Sequence, residues 1–529
     1  MSALTGTGTL VRLVLRRDRL LLPLWILPAA AFPAAIAGST AELYPTAGAL
    51  LGAARAAMAN PAQIAMRGPV YDTGVGGLTA HTVTASGGML LGLVSLLLVI
   101  RHTRAEEESG RRELLGAGAV GRHAPLTAAL AVVLAANLVI AALMVAGLAG
   151  SGLPLAGSVT LALSLAGTGW AFAAVGALAA QLTQGTGPAR GLGVGAFIVC
   201  FLVRAVGDAT GTDWPGWLSP LGWAARTRAF ADERWWFLAP TVALVAVLLY
   251  ASYRLSARRD LAAGVLPARP GPAGAPPGLN GVLALAWRAQ RGQAAAWVAG
   301  FAAGGLALGG AVSAGIDDQL DAPAIRTMIA ELGGGHAEPS AFFVNYLLSM
   351  LAWIVAAHGI LSALRMRAEE SSGRADLLLA TPTSRARWAS GHLLTALAVS
   401  GASMTALGSG AGLGYGVSGG DLGMFPVVLG AALAYLPAVW VMTGIAVLLA
   451  GLLPRASAAA WAIWAGFIAL DVFGTLGQVP GPVLSVIPFV HVPWVVLGQV
   501  AVTPLLLLTA VAAALFAAGF AGLRRRDLA

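Results

Sequence analysis

The chain has 529 residues, 58% of them hydrophobic and 10% charged, with a net charge of +9. A soluble chain carries about 25% charged residues, so this composition excludes a water-soluble globule and is that of an integral membrane protein. All 32 basic residues are Arg, which excludes a phosphate-binding loop and a Schiff-base lysine, since both need Lys. The single cysteine, Cys200, can build neither a disulfide framework nor a thiolate metal site.

Near the N-terminus, Arg12, Arg16, Arg17 and Arg19 alternate with Leu10, Leu13, Val14 and Leu20. That is the pattern of an amphipathic helix on a membrane surface, or of a plain basic flank. Apolar runs of roughly 20 residues then predict twelve spans. The first six are Leu20–Gly38, Ser86–Ile100, Ala124–Gly150, Ala156–Leu182, Gly191–Val206 and Phe237–Tyr253. The second six are Ala294–Gly315, Ala341–Leu364, Ser390–Tyr415, Phe425–Leu453, Ala458–Leu476 and Ala501–Leu523. The long stretch from Ser39 to Ala85 has room for helices of its own. The segment Trp214–Trp236 holds five Trp, as an interfacial re-entrant segment would. With the N-terminus inside, 25 Arg fall on cytoplasmic segments and 6 on outer ones. The positive-inside rule therefore puts both termini in the cytoplasm, and the Ala, Gly and Arg richness without Lys suggests a bacterial chain, multi-pass in the plasma membrane. It also accounts for the basic balance without a nucleic-acid partner.

The chain is written twice. Arg104-Ala-Glu-Glu-Glu-Ser-Gly-Arg111, followed by Leu114-Leu115 and ending at Arg122, returns as Arg367-Ala-Glu-Glu-Ser-Ser-Gly-Arg374, followed by Leu377-Leu378 and ending at Arg385. Arg258-Arg259-Asp260-Leu261 returns as Arg525-Arg526-Asp527-Leu528. The expected fold is all-α and polytopic, with two parallel-repeat six-helix halves. Residues 1–261 form one half and 281–529 the other. A Pro/Gly linker joins them at 262–280, a tether with no core pattern.

The repeated acidic-basic segment follows the second and eighth spans and has helical propensity. It offers charge and an apolar knob to a partner, or it only sets topology; its recurrence favours a docking site. The residues that carry it are Arg104, Glu106, Glu107, Gly110, Leu114, Leu115 and Arg122 in the first copy. In the second they are Arg367, Glu369, Glu370, Gly373, Leu377, Leu378, Leu379, Pro382 and Arg385.

The second copy resembles the permease signature of ABC type-2 exporters, roughly R-x-x-E-x-x-G-T-x-x-x-L-L-x-T-P-x-S-R. Arg367, Glu370, Gly373, Leu378, Leu379, Thr381, Pro382, Ser384 and Arg385 match it. Arg374 replaces the usual Thr, and the first copy has Gly116–Arg122 where the turn should be. Length, six-plus-six layout and the R-R-D-L endings resemble one subgroup, the single-chain actinobacterial permeases described as exporters of polyketide antibiotics, including tetronasin-type ionophores. The resemblance implies a transport subunit that is not itself an enzyme. It implies a separate ABC ATPase, two copies of which dock on the repeated segments and carry ATP and Mg, with no cofactor or metal in this chain. The implied cargo is a hydrophobic or amphipathic small molecule, effluxed across the bilayer.

Two charges stand within the predicted spans, Arg204 and Asp471. An intramembrane charge is expensive and marks a candidate functional site. They occupy corresponding spans and could pair with each other, or Arg204 could snorkel or bond Asp208 one turn on. His358 reads as a packing residue. Two rival functions remain. A proton-coupled secondary transporter would want intramembrane acids, and the first half has none; a non-transporting scaffold has no sequence mark of its own.

Overall fold

The computed structural model describes residues 2–59, 61–116, 118–260, 263–266, 273–313, 339–475 and 480–527. Among these the secondary structure is entirely helical, and ten helices are long and apolar enough to cross a membrane. They occupy ten of the twelve predicted spans. The other two positions also hold helices: Val282–Ser313 in the seventh, and the 17-residue Ala459–Thr475 in the eleventh. The protein is thus an all-α polytopic membrane protein. The chain divides into two compact units, Met1–Gly271 and Pro272–Ala529. Arg326 and the Leu261 and Leu528 of the repeated endings lie outside the described residues.

In the first unit the helix Thr7–Arg17 forms and lays Leu10 on Ala124 and Ala128 of the third span, Ala124–Gly150. The first span, Leu21–Leu43, is followed by two helices in the long connecting stretch, Ala47–Ala59 and Pro61–Arg67. The second span runs Val75–His102, eleven residues longer at its start than its hydropathy suggests. Its added turns, rich in Gly, Thr and Ala, are buried in the unit rather than exposed to lipid, so they need not be strongly apolar. The fourth span, Leu155–Leu182, is buried along most of its length. Asn137 of the third span donates to Ser95 Oγ of the second at 2.9 Å, a polar link between apolar helices. The fifth and sixth spans, Thr186–Thr210 and Leu238–Arg258, expose Val199, Leu202, Val206, Val242 and Val247, as lipid-facing helices do. In the Trp-rich segment between them, Trp236 and Phe237 stack at 3.8 Å while Trp214 and Trp236 stay exposed.

In the second unit the seventh span meets the ninth, Arg385–Gly419, at a seam of small residues. A Cβ on Gly305 or Gly309 would fall 2.4 or 2.1 Å from a backbone oxygen of Leu407 or Ala411. Glycine is what lets the two backbones touch. The tenth span is broken, Met424–Ala434 then Leu436–Leu452, with Tyr435 at the break. Pro437 lacks the N–H that would continue the ladder there. The eighth span, Pro339–Ser371, runs against both, and the twelfth, Val502–Arg525, packs on the tenth and carries Leu506, Leu507 and Val511 on its exposed side. His358 lies in the core, edge-on to Trp297 with ring centroids 5.2 Å apart, as a packing residue would.

Candidate functional site

The repeated segment folds alike in both units. After the second span, the helix Arg104–Glu108 turns at Gly110 into Arg111–Gly116. After the eighth span the chain turns at Gly373 into Arg374–Leu379. Gly110 and Gly373 have φ of 72° and 69°, the left-handed region that costs any residue with a Cβ roughly 1–2 kcal/mol. A Cβ on Gly110 would meet no neighbour, so the backbone angle, rather than space, asks for glycine.

The turn leaves the second Glu of each copy pointing inward. Glu107 accepts from Arg259 at 2.6 and 2.9 Å, and pairs with Arg104 and with Arg112. Glu370 accepts from Arg526 Nη2 at 2.7 Å and from its Nη1, and pairs with Arg367 at 3.1 Å. The two carboxylate side chains are only 2% and 3% exposed. Arg259 and Arg526 are the second arginines of the repeated R-R-D-L endings. Their backbone carbonyls accept from Arg122 and Arg385, the last arginines of the repeated segments. One residue set therefore makes the same clasp twice. It ties the second and third spans to the exit of the sixth, and the eighth and ninth to the exit of the twelfth.

The first clasp is the more heavily charged. Arg259 also donates to Gln181 at 2.7 Å, and Arg104 and Arg259 share the carbonyl of Ala263. Burial, then the neighbouring Arg259, Arg104 and Arg122, pull Arg112 down to about 10. It stays charged at neutral pH, so Glu107 sits at the centre of a surplus of positive charge. A buried pair of this kind contributes little net stability, but losing one partner strands the other at ~3–5 kcal/mol.

The remaining candidates are placed as follows. Glu106 pairs with Arg17 and Arg111. Glu369 accepts from Trp388 Nε1 at 3.1 Å and contacts His392 Nε2 at 3.1 Å. Leu378 and Leu379 pack on the second unit's core. Pro382 lies exposed in the turn before Ser384, whose hydroxyl accepts from the Arg387 amide and starts the ninth span. Leu377 is 75% exposed and is the apolar knob of the second copy. The side chains of Leu114 and Leu115 lie outside the described residues.

Arg204 and Asp471 each have partners within their own unit. Arg204 Nε lies 3.0 Å from Asp208 Oδ2, one turn on, and its Nη2 donates to the Ala65 carbonyl of helix Pro61–Arg67. This is the local pairing the spacing allowed. Asp471 accepts from Trp353 Nε1 at 3.0 Å. Sequence reasoning passed over Asp18, which is buried between the N-terminal helix and the first span. It accepts from Arg101 at 3.0 Å and contacts His102 Nε2 at 2.6 Å. A lone Asp amid four Arg reads as a solvated flank, and its partners are 83 and 84 residues away.

Residues 279–524 match the family model described as "Multidrug efflux system permease Rv1217c, C-terminal domain". Over 533 aligned positions the chain is 41% identical to the multidrug efflux system permease protein Rv1217c of Mycobacterium tuberculosis, covering all of this chain and 96% of that protein.

Proposed function

We propose, from the premise that the chain belongs to the family of that mycobacterial multidrug efflux permease, that it is the membrane subunit of an ATP-driven exporter of the ABC type-2 kind. The observation that carries this reading is the complete absence of Lys in a full-length relative of an efflux permease. With no phosphate-binding loop possible, the motor belongs to a separate ATPase chain. Two copies of it dock on the cytoplasmic segments after the second and eighth spans, in a bacterial plasma membrane with both termini inside. The cargo is amphipathic or hydrophobic, polyketide antibiotics among the candidates, because the spans offer few polar groups to hold a sugar or a peptide.

The clasp refines which residues a partner can touch. Glu107 and Glu370 are spent on internal ion pairs, so they hold the docking helix in place rather than meet the ATPase. Leu377 is free to do so. The purified chain should not hydrolyse ATP, and co-expression with the cognate ATPase should give vanadate-sensitive turnover. Hydrolysis by the chain alone, or drug export driven by a proton gradient without ATP, would overturn the reading. Leu377→Asp should reduce pull-down of the ATPase severalfold while leaving the thermal transition of the permease unchanged. An unaltered pull-down would show that this helix is not the docking element.

A further inference from the structure

The end of the second unit remote from Glu370 contains a cavity of about 210 Å³. Its wall is built by four pieces of chain. The start of the eighth span supplies Phe342 and Asn345, the break in the tenth supplies Tyr435, and the end of the eleventh supplies Asp471. The turns that precede the twelfth span supply Phe489 and Trp494. The rings are braced against one another: Phe342 on Trp494 with centroids 5.2 Å apart, and Phe489 on Trp353 at 3.7 Å.

Two polar groups in this wall are incompletely satisfied. Asp471 has one hydrogen bond, from Trp353, and no ion pair among the described residues. Asn345 is 1% exposed, donates its Nδ2 to Tyr435 Oη at 3.2 Å, and leaves its Oδ1 without a donor. A buried acceptor without a donor costs ~1–3 kcal/mol, and a carboxylate within a span is costly without a cation. Both deficits are acceptors. One group remedies both: a positively charged N–H donor whose apolar remainder lies against aromatic faces, which attract cations in turn.

We propose that this cavity binds the ammonium end of an amphipathic amine, with Asp471 as its counter-ion, Asn345 Oδ1 as acceptor of one of its N–H groups, and the rings around its apolar body. The volume exceeds the ~150 Å³ of a cavity that admits benzene, so it admits one ring and its aminoalkyl arm, or that end of a larger molecule. This deepens the efflux reading and rests on it for the claim that the ligand is cargo. Binding itself needs neither the ATPase nor transport.

The test is calorimetric titration of the full chain, without ATPase, in phosphatidylcholine nanodiscs. The probes are phenethylamine and its neutral isostere phenethyl alcohol. The amine should bind at least tenfold tighter than the alcohol. Asp471→Asn should remove that difference, and Asn345→Leu should weaken the amine severalfold. Equal binding of amine and alcohol by the unaltered chain would overturn the proposal without recourse to any variant. So would tight amine binding by Asp471→Asn. If phosphatidylethanolamine in the nanodisc displaces the amine, the occupant is a lipid ammonium, which keeps the site and changes its source. Loss of ATP-coupled export with amine binding intact would count against the exporter reading and leave the site standing.

Discussion

The two units are alike at one end and opposite at the other. At the clasp end, Glu107 with Arg104, Arg122 and Arg259 matches Glu370 with Arg367, Arg385 and Arg526, contact for contact. At the far end, the fifth span of the first unit holds Arg204, neutralised by Asp208 and capped by the Ala65 carbonyl. The nearby cavity of that unit is about 20 Å³, and its lining includes Arg67, Asp72, His81 and Arg228. The corresponding span of the second unit holds Asp471, at the edge of a tenfold larger aromatic cavity. A duplicated chain retains what both copies need for folding. It is free to diverge where one copy suffices, and the contrast between a buried Arg–Asp pair and a lone Asp lies in that region.

The contrast can be broken at three levels. The largest effect belongs to the clasp. Glu107→Leu removes the buried carboxylate that faces Arg104, Arg112 and Arg259, whereas Glu370→Leu removes the one that faces Arg367 and Arg526. Each should cost at least ~3–5 kcal/mol, read as a lowered thermal transition in detergent, with the first variant the worse. Equal losses would mean that Arg112 adds nothing to the first clasp. Next come the far ends. Arg204→Leu leaves Asp208 buried and unpaired and should cost roughly 3 kcal/mol. Asp471→Leu forfeits one hydrogen bond, worth about 1 kcal/mol. Because the described partners of each charge lie within its own unit, the double variant should show the sum of the two losses. Recovery in the double variant would instead demonstrate that Arg204 and Asp471 pair directly. An effect smaller than those of the clasp and of Arg204 tests the sameness of the units. Gly110→Ala and Gly373→Ala should each cost ~1–2 kcal/mol, and by equal amounts, since the two φ values differ by only a few degrees. A large asymmetry would show that the two turns are not equivalent.

Much of this was legible in the chain. Apolar runs placed the spans, because a helix in lipid must be apolar along its length whatever it packs against. The repeat displayed the clasp residues twice, and the left-handed turns explain why Gly110 and Gly373 recur. The second span's first eleven residues were missed because a helix buried among other helices can be built of Gly, Thr and Ala. By hydropathy the short eleventh span and the broken tenth look like ordinary spans, since an apolar run does not register a break at Pro437.

Local pattern was enough to decide composition, span placement, duplication and the impossibility of a phosphate-binding loop, since each depends on residues close together in the chain or on a residue type being absent. Which way a carboxylate points is a different matter. Glu107 and Arg259 are 152 residues apart, and Glu370 and Arg526 are 156 apart. The sequence shows both motifs as exposed-looking charge, and only the folded bundle brings the end of one span against the exit of another and turns a presumed surface into an interior ion pair. The same holds for Asp471, an isolated acid in an apolar run. Its aromatic cavity is assembled from four segments that meet only when the second unit has closed around them.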